Sequence, residues 1–152
     1  MRYKILFFFI GLFFYTLSPF AQTITYEGET DDLLMLSVAE FNVKKKDVVE
    51  QAIKDAYFHL LFRGIPESVN YKQALLGTDE NVMEQHRQYY DNMLHNGRIY
   101  SFVPSYALTY YRNYRNHRNL TRKEAIVYLS INVQALISDL ERNNLYRRFG
   151  LY

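Results

Sequence analysis

The sequence predicts an α+β fold, a three-stranded, largely antiparallel sheet with helices packed on one face. Two periodicities indicate it, because apolar residues recur at helical spacing in three segments and alternate with period 2 in two others. A short apolar run before the first helical segment predicts one more strand, which makes three in total. The predicted order is strand, helix, helix, strand, strand, helix. Packing the helices on one face is the simplest way to bury the apolar side of every element.

The first predicted strand is LLMLSVAEF (33–41), which is short and follows two acidic residues, and this favours a buried central strand over a helix. Segments 105–111 and 125–133 alternate with period 2 and predict a hairpin with 112–121 at its tip. The position of the first strand relative to this hairpin stays open. The polar segment TITYEGETDD (23–32) is interpreted as either a leader or an edge strand.

Period 2 also predicts which side chains share a face of the hairpin. Tyr106, Leu108 and Tyr110 are expected on one face of its first strand, and Ala107, Thr109 and Tyr111 on the other.

The most regular helical pattern covers 42–63, where apolar residues form a broad face. Gly64 follows it and can take the left-handed conformation that ends a helix. A second helix with a narrower apolar stripe is predicted over 79–95, before Gly97. The third is predicted over 133–144.

The N-terminal residues 1–21 predict a secretory signal peptide. Two basic residues precede an almost unbroken apolar run, 5–17, and Ala21 supplies a small residue for cleavage. The run is shorter than the roughly 20 residues that span a bilayer. The junction before Gln22 resembles export signals common among Bacteroidota. Cleavage there leaves a single domain, 22–152, in the periplasm or at the cell surface, with no transmembrane span; the alternative is an uncleaved N-terminal anchor.

The sequence contains no cysteine, so it has neither a lipoprotein acylation site nor disulfides nor thiolate metal sites. Charge is distributed unevenly along the predicted mature chain. Residues 22–97 carry 7 basic and 13 acidic side chains, whereas residues 98–152 carry 9 and 3, so the two halves together are neutral. This asymmetry suits docking of one half on the other, head-to-tail self-association or an outside partner.

Residues 109–124, TYYRNYRNHRNLTRKE, interleave tyrosine with arginine. Taken alone, this pattern would suit nucleic acid. Export places it where nucleic acid is scarce, and its flanks make it a hairpin tip, where asparagine suits turn geometry. Nucleic acid is therefore not an expected partner.

The hairpin is the predicted contact surface of a non-enzymatic binding or scaffolding domain. Arginine makes bidentate contacts to carboxylates or phosphates, and tyrosine supplies rigid contact area. The expected partner is an envelope protein or glycan, or a second copy of the chain, and no cofactor is expected. The predicted contact residues are Tyr110, Tyr111, Arg112, Tyr114, Arg115, His117 and Arg118.

Two segments carry a family resemblance. They are VVEQAIKDAYFHLLFRGI, a helix that follows a strand, and AIVYLSINVQALISDLERNNL, a hairpin strand that runs into the closing helix. Over roughly 33–63 and 98–145 this order resembles the N-terminal domain of the flagellar assembly T protein and related small outer-envelope lipoproteins. The resemblance implies envelope assembly or scaffolding and supplies no functional residues. This chain departs from the lipoproteins because it lacks the acylation cysteine, and 65–97 has no counterpart in them.

Motifs for nucleophilic, phosphate-binding or zinc chemistry are absent from the sequence. One stripe on the second predicted helix, Glu84, Gln88, Asp91 and His95, places a carboxylate and an imidazole one turn apart, a pair that can bind zinc or share a proton. A solvated face with Asp91 beside His95 is the favoured interpretation. Two alternative functions stay open: a small metal-dependent hydrolase centred on this helix, and binding of an anionic polymer or membrane surface through the basic C-terminal half.

Overall fold

A four-stranded antiparallel sheet with three helices packed against it makes up the fold. The computed structural model describes residues 23–77, 80–115 and 121–146. The α+β prediction is confirmed, but the sheet has one strand more than predicted. In chain order the elements are β1 (Thr23–Glu29), β2 (Leu33–Phe41), α1 (Val48–Phe62), α2 (Glu80–His95), a 3₁₀ turn (Arg98–Phe102), β3 (Ser105–Arg115), β4 (Thr121–Asn132) and α3 (Val133–Arg142).

The additional strand is β1, the segment interpreted from sequence as a leader or an edge strand. It pairs antiparallel with β2, from Thr23 opposite Ala39 to Glu29 opposite Leu34, with a bulge between Tyr26 and Gly28. Ile24 and Tyr26 pack partly buried against the core. Their alternation with threonine is the period-2 pattern of a strand with one buried face, which explains why this polar segment joins the sheet.

The strand order is β1-β2-β4-β3, so β2 and β4 are central and β1 and β3 are the edges. The first predicted strand, β2, therefore lies beside the second strand of the hairpin. Its register with β4 runs without interruption from Leu33 opposite Asn132 to Phe41 opposite Glu124. The hairpin is also longer than predicted, because β3 reaches Arg115 and β4 begins at Thr121.

One face of the sheet, here called the helix face, holds the core. Leu34, Leu36 and Val38 of β2 and alternate β4 residues from Ala125 to Ile131 are buried there. The predicted apolar face of α1 covers them, from Val48 to Leu61, together with Val133, Leu136, Ile137 and Leu140 of α3. Burial of these side chains is the main stabilising contribution to the fold, at about 25 cal/mol per Å² of apolar surface removed from water.

Helix α1 ends as the sequence predicts and begins later. Gly64 has φ of 81°, and a Cβ there would lie 2.3 Å from the Lys72 carbonyl oxygen, so only glycine fits. The loop after it is fixed to the helix end, since the Leu75 N–H donates to the Leu60 carbonyl over 3.0 Å. At the other end, the Asp47 N–H donates to the Lys44 carbonyl, which makes a turn of residues predicted to be helical.

Two adjacent tyrosines hold helix α2, with Tyr90 contacting α1 and Tyr89 contacting α3. The Tyr90 ring packs edge-on against Phe58 and Phe62, with centroids 6.3 and 5.9 Å away, and its hydroxyl donates to the Lys54 carbonyl. The Tyr89 hydroxyl donates to the buried Asp139 of α3, which also binds Arg98. In the part of the chain that the structure describes, no helix has the length and hydropathy needed to cross a bilayer.

Candidate functional site

The structure divides the predicted hairpin site between the two faces of the sheet. Tyr110 lies opposite Ile126 and Arg112 opposite Glu124, whereas Tyr111 lies opposite the buried Ala125. Tyr110 and Arg112 therefore share the face away from the helices, and Tyr111 belongs to the helix face. The side chains of Tyr114 and Arg115, and all of His117 and Arg118, lie outside the described residues, as does the predicted signal peptide 1–21.

A bulge in β3 causes this division and corrects the predicted pairing of faces. The register shifts between Leu108 and Tyr110, so Thr109 is the additional residue. Tyr106 and Leu108 stay on the helix face, as strict alternation requires, but Tyr110 moves to the opposite face. A bulge reverses the facing of every later side chain in its strand. Tyr110 is therefore placed on a surface that the sequence pattern assigned to Tyr111.

Tyr111 contacts the start of the helical layer. The Lys45 ammonium lies 5.9 Å from the centroid of its ring, within the range of a cation–π interaction. Tyr111 is partly buried and packs against the core. It therefore lies on the opposite face of the sheet from Tyr110 and Arg112.

The face away from the helices, here called the open face, is unusually apolar for a solvated sheet face. Antiparallel sheets normally turn alternating polar residues to water. Phe41, Tyr110 and Tyr128 are 39%, 37% and 44% exposed on this face. The open face includes Thr25 and Glu27 on β1, Met35, Ser37, Ala39 and Phe41 on β2, Glu124, Ile126, Tyr128 and Ser130 on β4, and Ala107, Tyr110 and Arg112 on β3.

The register arranges these residues in rows across the strands. One row carries Phe41, Glu124 and Arg112, and the next carries Ala39, Ile126 and Tyr110. Opposite charges placed directly across a ladder attract each other, so the Glu124 and Arg112 row supplies a charged border to an apolar and aromatic centre. Such a centre with a polar border is the usual organisation of a protein-binding surface.

Two of the exposed aromatic residues, Phe41 and Tyr128, were not among the predicted site residues. LLMLSVAEF was predicted from sequence to be a buried central strand. That prediction did not distinguish the alternate residues that face away from the core. The period-2 pattern of β4, by contrast, does place Tyr128 on the other face of the strand from Val127 and Leu129. The signal for these two residues was therefore the outward-facing half of each strand pattern.

The stripe on α2 does not assemble a metal site. Arg87 lies between the two carboxylates, 3.5 Å from Glu84 and 3.7 Å from Asp91. His95 Nδ1 lies 2.7 Å from the Asp91 backbone carbonyl oxygen and does not reach its carboxylate. Over 23–77, 80–115 and 121–146, no group of three or more histidine, aspartate or glutamate side chains is arranged to hold a metal ion. This geometry supports the solvated-surface interpretation of the stripe.

The basic C-terminal half does not present all its charge to solvent. Arg98 binds the buried Asp139, and Arg112 faces Glu124 across the ladder. These contacts leave less positive charge for a polyanion than the count of residues suggests.

Two carboxyl groups, the buried Glu40 and the partly exposed Asp55, meet between β2 and α1. Glu40 is buried on the helix face of β2 and hydrogen-bonds the Asp55 side chain. Burial, followed by the hydrogen bond to Asp55 and its charge, raises the pKa of Glu40 to about 8. Gln51 Nε2 in turn donates to both Asp55 oxygens, over 3.2 and 3.1 Å. The pair therefore holds a proton at neutral pH, since two ionised carboxylates in contact would repel each other.

Comparison with known proteins found no match to this chain among family models, curated proteins or solved structures. The resemblance to small exported envelope domains therefore stays a prediction.

Proposed function

We propose that this chain is an exported, non-enzymatic domain that docks a protein of the cell envelope on its open face. One observation carries the proposal: the two central strands expose Phe41 and Tyr128 on a face that no described helix covers. An exposed aromatic patch of this kind is typical of a protein-binding surface. Export itself rests on the N-terminal sequence pattern.

The chemistry of the open face defines the partner. Its centre is apolar and aromatic and includes Met35 on β2 and Tyr128 on β4. Arg112 lies at its border, on β3. A partner that fits presents an apolar patch flanked by carboxylates, since arginine beside an aromatic surface favours both. The hairpin extends this surface without being its centre, which revises the prediction from sequence.

Site-specific photocrosslinking in the native cell tests this proposal. A photoreactive phenylalanine analogue replaces Tyr128 in one variant and Tyr100 in the other. Tyr100 is a matched control because it is 41% exposed but precedes β3 in the 3₁₀ turn, outside the open face. We expect one discrete protein adduct from position 128 and none of that mass from position 100.

Three other results would contradict the proposal. Equal adducts from both positions would indicate nonspecific contact, and no adduct from position 128 would leave the open face without a partner. If glycosidase removes the mass added to the chain and protease does not, the crosslinked partner is a glycan and not a protein.

A further inference from the structure

The two edge strands of the sheet differ in charge. β1 contains two acidic residues, Glu27 and Glu29, and no basic one, whereas β3 contains two arginines and no acid. Glu29 already accepts hydrogen bonds from Ser68 and Asn70, which leaves Glu27 as the acidic residue for the contact. Edge strands leave backbone N–H and C=O groups without a partner strand and therefore can accept another strand. Charges of opposite sign on the two edges favour pairing of unlike edges and disfavour pairing of two copies of β3.

The strand directions permit this unlike pairing without disturbing the sheet. All three ladders are antiparallel in the order β1-β2-β4-β3, so β1 and β4 run one way and β2 and β3 the other. A second copy translated along the sheet therefore brings its β1 antiparallel to β3 of the first. The helices of both copies then lie on the same side, and the open faces become continuous.

The side chains beside the β3 edge suit an added strand. Tyr106 is 55% exposed on the helix face, and Tyr110 is 37% exposed on the open face, so aromatic rings flank the edge on both sides. The Glu27 carboxylate accepts a hydrogen bond of 2.6 Å from the Ser37 hydroxyl on the open face, the same face that carries Arg112 on β3.

We propose that copies of this chain associate head to tail, with the β1 edge of one copy pairing with the β3 edge of the next and Glu27 beside Arg112. This contact uses the edges of the sheet and does not depend on the partner proposed for the open face. Because the two surfaces in contact differ, the association is heterologous and forms open chains of copies unless the sheet twist closes them. A bulge in each edge strand shortens the paired stretch, so the contact is weak and concentration-dependent.

Sedimentation velocity on chain purified from the exported fraction tests the proposal with two charge reversals, Glu27→Lys and Arg112→Glu. We expect the wild-type sedimentation coefficient to rise with concentration without reaching a plateau. Each variant alone should associate about tenfold more weakly, because like charges meet at the contact. An equimolar mixture of the two variants should recover association, since each reversed edge then meets an edge of opposite charge.

The controls are Glu84→Lys and Arg87→Glu, which make the same charge changes on exposed residues of α2. If Arg112→Glu loses its circular dichroism signal, Arg112→Gln replaces it and should weaken association less. A symmetric pairing of β3 with β3 would leave the association of Glu27→Lys at the wild-type level, which overturns the head-to-tail arrangement. A wild-type chain that sediments as a monomer at every concentration overturns self-association altogether.

Discussion

The two faces of the sheet are built from the same strands and behave differently. On β2, Leu34, Leu36 and Val38 are wholly buried under α1, while Met35 and Phe41 between and beyond them face away from the helices. Both faces are rich in apolar side chains, but only one is covered by the described helices. Apolar residues on the helix face therefore stabilise the fold, and those on the open face are available to a partner.

The largest expected effect contrasts two neighbouring residues of β2. Leu36→Ala leaves a cavity under α1 and should lower the free energy of unfolding by about 2–5 kcal/mol. Met35→Ala, on the open face, should cost no more than ~1 kcal/mol. Denaturant unfolding monitored by circular dichroism measures both. Similar losses of stability for the two variants would show that the open face is also packed, either against another part of this chain or against a second copy.

Element type followed from periodicity, because α1, α2, α3 and the hairpin each bury one face of a regular pattern. Element ends followed less well. Residues 42–47 fit the helical pattern of α1 but form a turn that leads from β2 onto the helix face. The hairpin strands extend into the arginine-rich segment because paired backbone, and not side-chain polarity, decides where a ladder ends.

The sequence could not supply the face of the sheet on which each site residue lies. Nothing in ALTYY distinguishes a continuous strand from one with a bulge at Thr109, yet the bulge alone decides whether Tyr110 or Tyr111 reaches the open face. Likewise, the exposure of Phe41 depends on all described helices lying on the other side of the sheet. Both facts are tertiary, and a single sequence does not contain them.

The second expected effect concerns the one glutamate buried on the helix face of β2. The pKa of Glu40 is raised from 4.5 in the unfolded chain to about 8 in the folded one, so its protonated form contributes stability. That contribution is complete below about pH 4.5, declines as pH rises and is lost above about pH 8. Denaturant unfolding over this range should show wild-type stability falling with pH.

Glu40→Gln should remove this fall, because an amide keeps a donor toward Asp55 and has no proton to lose. Asp55→Asn should make the fall smaller, since burial of Glu40 remains but the neighbouring charge does not. A Glu40→Gln variant with the wild-type pH dependence would show that another group is responsible.

The smallest expected effect on stability belongs to the hairpin. Replacing Arg112, Arg115 and Arg118 together by alanine should change the free energy of unfolding by less than ~1 kcal/mol, because exposed ion pairs contribute little. If the hairpin extends the docking surface, the triple variant should retain several-fold less of the protein that crosslinks at position 128. Arg87→Ala with Arg142→Ala, remote from the open face, controls for loss of positive charge. Unchanged retention by the triple variant would confine the contact to the centre of the open face.

The most direct test of the two-face account measures stability and binding on one variant, Phe41→Ser with Tyr128→Ser. Denaturant unfolding gives the stability, and retention of the protein crosslinked at position 128 gives the binding. The account predicts a change of less than ~1 kcal/mol in the free energy of unfolding, together with at least about tenfold weaker retention. A large loss of stability with retention unchanged would show that these residues serve the fold and that the partner docks elsewhere.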